Sequence, residues 1–207
     1  MTEIDNTKFE KELNKQGYKL IAGCDEAGRG PLCGPVVAAA VIFPQGYKLE
    51  GLTDSKKLSE KKRKIYFEQI KKDAISYGIS IISPQVIDEI NIYEASRKAM
   101  LEAVAQLVPQ PDYIITDAMP LPTYENSMPI IKGDALSITI AAASILAKVT
   151  RDEIMYELDK EHPEYGFAKH KGYPTKLHLE NLKKYGILNN YRLTYKPVRD
   201  FLEGKND

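Results

Sequence analysis

Eleven residues constrain this chain more than any others: Ile21-Ala22-Gly23-Cys24-Asp25-Glu26-Ala27-Gly28-Arg29-Gly30-Pro31. An apolar run leads into two adjacent carboxylates, a Gly-Arg-Gly turn follows, and a second apolar run starts at Val36. The pattern is that of a strand whose end carries charge. Adjacent acids there are costly to bury, even partly, unless a cation neutralises them. The glycines let backbone come close to a bulky group, and the arginine between them suits a phosphate. A metal-dependent phosphodiester site is the expectation. Successive strand residues point to opposite faces, so Asp25 and Glu26 serve one site only if the chain leaves β geometry at Glu26.

The second run, Val36–Phe43, is β-branched and alanine-rich, ends at Pro44 and Gly46, and suits antiparallel pairing with the first. Further strands are expected at Ile75–Ser83, Asp112–Asp117 and Pro129–Lys132. Helices are expected from Asp54-Ser55 onward, with Ser55 or Ser59 as cap, then at Pro84–Glu89 and Ile92–Leu107. A long alanine-rich helix is expected over Ala135–Lys160, a loop over Pro163–Pro174, and a helix over Thr175–Tyr185 stopped by Gly186. Three early strands followed by strand–helix alternation describe a mixed-sheet α/β fold.

Four acids fall at element ends: Asp25, Glu26, Asp117 and Asp134. In open α/β sheets, sites gather at the carboxyl ends of strands, and Asp25 and Asp117 share that edge if their strands are parallel neighbours. Oxygen donors without a nearby histidine favour Mg²⁺ or Mn²⁺ over zinc. Asp134 has a second reading as the N-cap of the long helix, a role that needs no chemistry. Along that helix Asp134, Ser137, Ala141, Ser144 and Lys148 recur at three- and four-residue steps, a narrow polar stripe able to line a groove for a polyanion.

Composition adds bounds. With 207 residues, one domain is the default. No apolar run is long enough to span a membrane, and the N-terminus shows no secretory pattern, so a cytoplasmic protein is expected. Cys24 and Cys33 have no metal or redox spacing and read as buried thiols. The 29 basic and 29 acidic residues balance, so charge is informative only locally. Two basic groups stand out: Lys56-Lys57 with Lys61–Lys64, and Lys169-His170-Lys171 with Lys176.

Ordered segments along most of the chain resemble type-2 ribonuclease H (ribonuclease HII). They are Asp25–Pro31, Thr53-Asp54-Ser55-Lys56-Lys57-Leu58, Ile90-Asn91-Ile92, Thr116-Asp117, Lys132-Gly133-Asp134, Ala141–Asp152 and His170-Lys171-Gly172-Tyr173-Pro174-Thr175. The resemblance implies a ribonuclease-H-like fold, a five-stranded mixed sheet flanked by helices with a helical C-terminal portion. It implies one catalytic domain over residues 1–207: an arm or helix to residue 19, a core over 20–160, and a substrate-contacting loop and helices over 161–207. The implied activity is hydrolysis of the RNA strand of RNA–DNA hybrids and cleavage 5′ of ribonucleotides embedded in duplex DNA, leaving 3′-hydroxyl and 5′-phosphate ends. Asp25, Glu26, Asp117 and Asp134 match the catalytic carboxylates that hold two Mg²⁺ or Mn²⁺ ions. Gly28, Arg29 and Gly30 match the element that reads the 2′-hydroxyl, Tyr173 the junction-sensing tyrosine, and Lys56 a lysine near backbone phosphate. His170 is assigned a structural or phosphate-side role, since a metal-activated water needs no general base. A monomer without a membrane partner is expected.

One departure is visible. Family members often carry His-Arg, a hydroxyl residue and an aromatic near the C-terminal end, whereas this chain has Tyr191-Arg192-Leu193-Thr194-Tyr195. Two other readings stay open on the sequence: a metal-dependent nuclease of the same fold acting on DNA or DNA junctions, and a non-catalytic nucleic-acid-binding module. The second gains nothing from four acids beside a polyanion, and the chain has no G-x-x-x-x-G-K-[ST] motif.

Overall fold

The structure, a computed structural model, describes residues 5–52 and 55–205. Five strands form one mixed sheet: β1 (Ile21–Ala27), β2 (Val36–Ile42), β3 (Ser76–Ile82), β4 (Tyr113–Asp117) and β5 (Ser127–Ile130), in the order β3-β2-β1-β4-β5. β2 is antiparallel to both β1 and β3, while β4 is parallel to β1 and to β5. β2 is buried along its whole length, so both faces must be covered. Its alternation divides the core. Val36, Ala38, Ala40 and Ile42 pack on α3 (Pro84–Ala105), and Val37, Ala39 and Val41 pack on α5 (Ile138–Glu161).

The alanines set how closely α5 lies on the sheet, and Gly23 sets where it starts. A methyl at Gly23 would fall 2.3 Å from the Thr139 carbonyl carbon, so only glycine lets the first turn of α5 rest on β1. Two residues further along the same face stands Asp25.

The remaining helices are α1 (Lys8–Lys15), α2 (Glu60–Asp73), α4 (Gly133–Leu136), α6 (Phe167–His170), α7 (Lys176–Tyr185) and α8 (Lys196–Leu202). The expected break before Ile92 is present inside α3. Asn91 adopts φ 67°, ψ 165°, and its side-chain oxygen accepts from the Tyr93 and Glu94 amides, capping the second half. α7 follows the sequence reading closely, with the Thr175 hydroxyl accepting from the His178 amide and Gly186 at φ 87° ending it.

Three expectations need correction. The long helix is split at Ser137, which caps α5, so Asp134 belongs to the separate turn α4 and is not the cap. The helix expected from Asp54-Ser55 begins at Glu60 with Ser59 as its cap; Ser55–Lys57 form a 3₁₀ turn, and Asp54 lies outside the described residues. The expected loop over Pro163–Pro174 contains a 3₁₀ turn and α6, packed in a cluster with Leu32, Cys33, Tyr165, Phe167 and Tyr191. Among the described residues, no helix is long and apolar enough to cross a membrane.

Candidate active site

The parallel register of β1 and β4 ends at Cys24 opposite Thr116, so the next residues, Asp25 and Asp117, stand side by side. Both continue the face that looks toward α5. Chain reversal after β5 then brings α4 across the same edge, where the Gly133 amide donates to Asp117 Oδ1 at 2.8 Å. This carries Asp134 into place. One carboxylate oxygen from each of Asp25, Asp117 and Asp134 lies within 4.8 Å of the other two.

Glu26 is arranged differently. The departure from β geometry that would put both acids on one face does not occur at Glu26, since β1 keeps its pairing with β2 through Glu26–Ala38 and Ala27–Val37. Alternation therefore starts Glu26 on the face opposite to Asp25, and its carboxylate is outside the close trio. It still borders the same cleft. Its Oε1 accepts from Arg29 Nη1 at 3.2 Å, and its buried Oε2 has no hydrogen-bond partner among the described residues.

The cleft has a volume of about 380 Å³ and is lined by Asp25, Glu26, Gly28, Arg29, Gly30, Lys56, Asp117, Ser144, Lys148 and Tyr173. Lys56 Nζ lies 3.9 Å from Asp134 Oδ2. Of the polar stripe expected on the long helix, Ser144 and Lys148 line the cleft and Asp134 reaches its carboxylates from α4. Ala141 is in the core, and the Ser137 hydroxyl donates instead to Glu10 on α1. Ser144 hydrogen-bonds Asp25 and shares its hydroxyl with Ser55 at 2.9 Å, tying α5 to the turn that carries Lys56. Lys148 Nζ is held by Asp152 Oδ1 at 2.7 Å.

Electrostatics match the crowding. Burial, followed by the charges of Glu26 and Asp117, pushes the Asp25 carboxyl well above the usual carboxylate range. Burial also raises Glu26, against the opposing pull of Arg29. Such a group of acids is strained by its own charge and relieved by a cation. The donors are all oxygen, three of them converge, and a fourth carboxylate keeps a buried lone oxygen nearby. The residues present therefore fit a hard divalent metal.

The turn after β1 is held from behind by residues whose role the sequence reading missed. Gly28, at φ 98°, has no room for a side chain, because a methyl there would fall 2.1 Å from Arg151 Nε. Arg151 and Arg192 are both buried. Arg151 donates to the carbonyls of Cys33, Pro35 and Lys171. Arg192 donates to those of Gly28, Arg29 and Gly34. A clue existed for Arg151, which lies in the helical motif Ala141–Asp152; Arg192 sat in the one segment that departed from the family pattern. His170 makes structural contacts, one of the two roles expected for it. Its Nδ1 accepts from the Gly172 amide and its Nε2 donates to the Tyr165 carbonyl, and burial lowers its pKa.

Tyr173 lines the cleft beside the turn, with ring carbon Cε1 3.4 Å from where a Gly30 side chain would begin. Its amide donates to the His170 carbonyl, and its own carbonyl accepts from His178 Nδ1 at 2.9 Å. The tyrosine is thus aimed by its backbone while its ring remains partly exposed.

Known proteins resemble this chain over most of its length. The family model for Ribonuclease HII matches residues 22–198. Ribonuclease HII of Bacillus cytotoxicus is 54% identical over 202 residues, covering 98% of this chain and 78% of that protein. Its counterpart in Bacillus mycoides is 53% identical over 200 residues, covering 97% and 78%. Among solved structures, ribonuclease H2 of Pyrococcus horikoshii superposes with a TM-score of 0.76 at 28% identity, over 89% of this chain and 97% of that one. The RNase HII of Archaeoglobus fulgidus, solved as a complex with PCNA, gives 0.71 at 27% identity, over 85% and 95%. The chain belongs to the ribonuclease HII family, metal-dependent endonucleases that hydrolyse the RNA strand of RNA–DNA hybrids.

Proposed function

We propose that the site serves RNA–DNA hybrids and ribonucleotides embedded in duplex DNA through one constellation. Asp25, Glu26, Asp117 and Asp134 are its metal ligands, and two Mg²⁺ or Mn²⁺ ions are its cofactors. The observation that carries this reading is the convergence of Asp25, Asp117 and Asp134 within 4.8 Å beside the Gly28-Arg29-Gly30 turn. Ions held there supply an activated water and charge neutralisation for in-line displacement at phosphorus, with 3′-hydroxyl and 5′-phosphate ends as products.

The chain's own residues do the rest. Asp117 is oriented by the Gly133 amide and Asp25 by Ser144, so neither carboxylate has to reorganise when ligated. Arg29, Lys56 and Lys148 meet the backbone phosphates flanking the scissile bond. Backbone amides at Gly28-Arg29-Gly30 meet the 2′-hydroxyl, which is both donor and acceptor. Tyr173 stacks on the sugar or base that follows the ribonucleotide and favours an RNA–DNA step.

The deciding experiment presents the enzyme, in Mg²⁺ and in Mn²⁺, with a duplex carrying one ribonucleotide and with the same duplex in DNA alone. Cleavage 5′ of the ribonucleotide with the stated ends is the expected result. Cutting of the all-DNA duplex alone would point to a DNA nuclease of the same fold, and binding without cleavage to a non-catalytic module. We further propose that the chain acts as one domain, as a monomer and in the cytoplasm. Sedimentation at micromolar concentration tests the monomer.

A further inference from the structure

Arg192 is fully buried, yet its hydrogen-bond partners are carbonyls and a hydroxyl rather than a carboxylate. Nη2 donates to the Gly28 carbonyl at 2.6 Å and Nη1 to the Arg29 carbonyl at 2.9 Å. The Tyr195 hydroxyl accepts from Nη1 and donates to that same Arg29 carbonyl at 2.6 Å. Nε and Nη2 hold the Gly34 carbonyl at the other end of the turn. A guanidinium is a rigid planar fork, so it fixes these acceptors relative to one another in a way that a lysine cannot.

Peptide planarity converts this into a statement about the opposite side. In a trans peptide the carbonyl of one residue and the amide of the next point in opposite directions. With the Gly28 and Arg29 carbonyls drawn inward to Arg192, the amides of Arg29 and Gly30 are turned outward. Neither donates a hydrogen bond to another described residue, and both residues line the cleft. No side chain at Gly28 or Gly30 covers them.

We propose that Arg192, assisted by Tyr195, is the positioning residue for sugar selection: its grip on two successive carbonyls presents the Arg29 and Gly30 amides as a preset pair of donors to the 2′-hydroxyl. This rests on the reading of the Gly-Arg-Gly turn given above and assigns its geometry to the C-terminal segment. Substrate is not touched by Arg192 itself. Its loss therefore leaves the carboxylates and the duplex-binding lysines in place and loosens only the turn.

The test compares wild type, Arg192→Lys and Tyr195→Phe in Mg²⁺. The kcat/KM for the duplex with one ribonucleotide is measured beside the inhibition constant of the all-DNA duplex, which reports duplex binding without a 2′-hydroxyl. For Arg192→Lys, kcat/KM should fall by about tenfold or more, the scale of one misplaced charge-assisted hydrogen bond. For Tyr195→Phe a fall of about threefold is expected, and in both variants the all-DNA inhibition constant should stay within about twofold of wild type. An unchanged kcat/KM in both variants, or an all-DNA constant that worsens in step with it, overturns the proposal. If Arg192→Lys melts before assay temperature, Tyr195→Phe decides alone by the same criterion. The two readings fail separately. Wild type that cuts the all-DNA duplex as readily as the ribonucleotide duplex removes the reading of the turn itself. Wild type that demands the ribonucleotide beside indifferent variants removes only the role of Arg192.

Discussion

Two residues show how tightly this site is built. Asp25 is buried against Asp117 and Glu26, so its charge opposes folding in the absence of metal and, as the ligand proposed above, would be relieved in its presence. Asp25→Asn should lower cleavage by at least about 10²–10³-fold. It should also raise the melting temperature in EDTA, by about 2–4 °C if the relief is ~1 kcal/mol. Activity assays and thermal melts of the purified variant check both parts. Gly28→Ala should cost stability as well as activity. A side chain at φ 98° would be strained and would press on Arg151 Nε and the Pro35 carbonyl. A loss of about 1–3 kcal/mol in urea unfolding is expected. All four acids stood out in the sequence because carboxylates at element ends are conspicuous. That Glu26 lies outside the trio was not visible, since it depends on how far β1 stays paired with β2.

At the level of elements, the α4–α5 junction carries a contact the sequence could not announce. Ser137 caps α5 by accepting from the Ile140 amide, and its hydroxyl donates to Glu10 at 2.6 Å. The Glu10 oxygen that it meets also accepts from the Thr139 amide and hydroxyl. Ala135 and Leu136 continue the apolar pattern of the helix, so periodicity alone runs straight through the break; the partner that stabilises it lies 127 positions away. Ser137→Ala should cost about 1–2 kcal/mol by chemical unfolding. α7 offers a pH test. The His178 ring, stacked on His170, is buried, and burial lowers its pKa to about 4. Its Nδ1 proton donates to the Tyr173 carbonyl, and its Nε2 faces the Tyr191 hydroxyl at 2.8 Å. A depressed folded pKa means the unfolded chain binds the proton more tightly. The stabilisation is complete above the ordinary histidine value near 6.5 and is lost as pH falls toward 4. Melting temperature should decline across that window in wild type and decline less in His178→Gln.

For the whole molecule, the mixed α/β class, the antiparallel β1–β2 pair and most of the helices follow from patterns that a single sequence displays, whereas the strand order and the parallel β1–β4 pair come from the structure. Nor does the sequence display the seating of the C-terminal helices, because their attachment runs through two arginines and a set of backbone carbonyls that have no sequence signature. Net charge is also a whole-molecule property, and it is zero. On the reading proposed above, attraction to a duplex comes from the few cations around the cleft, Arg29, Lys56 and Lys148 among them. The logarithm of the binding constant for a duplex, measured without divalent ions, should fall against the logarithm of salt concentration with a slope of roughly −3. That is the release expected for a handful of phosphate contacts, and a slope near −8 would require a much broader basic surface.

Pairing of β1 with β4, and the grip of Arg192 on the turn after β1, join parts of the chain that are made at different times. A ribosome extending this polypeptide makes Asp25 first, Asp117 and Asp134 after it, and Arg192 later still. The four carboxylates can assemble once α4 and α5 have emerged, whereas the fork behind Gly28 and Arg29 arrives only with the following segment. On the roles proposed above, the acidic centre is therefore complete in the chain before the fork that presets the sugar-reading turn has been made.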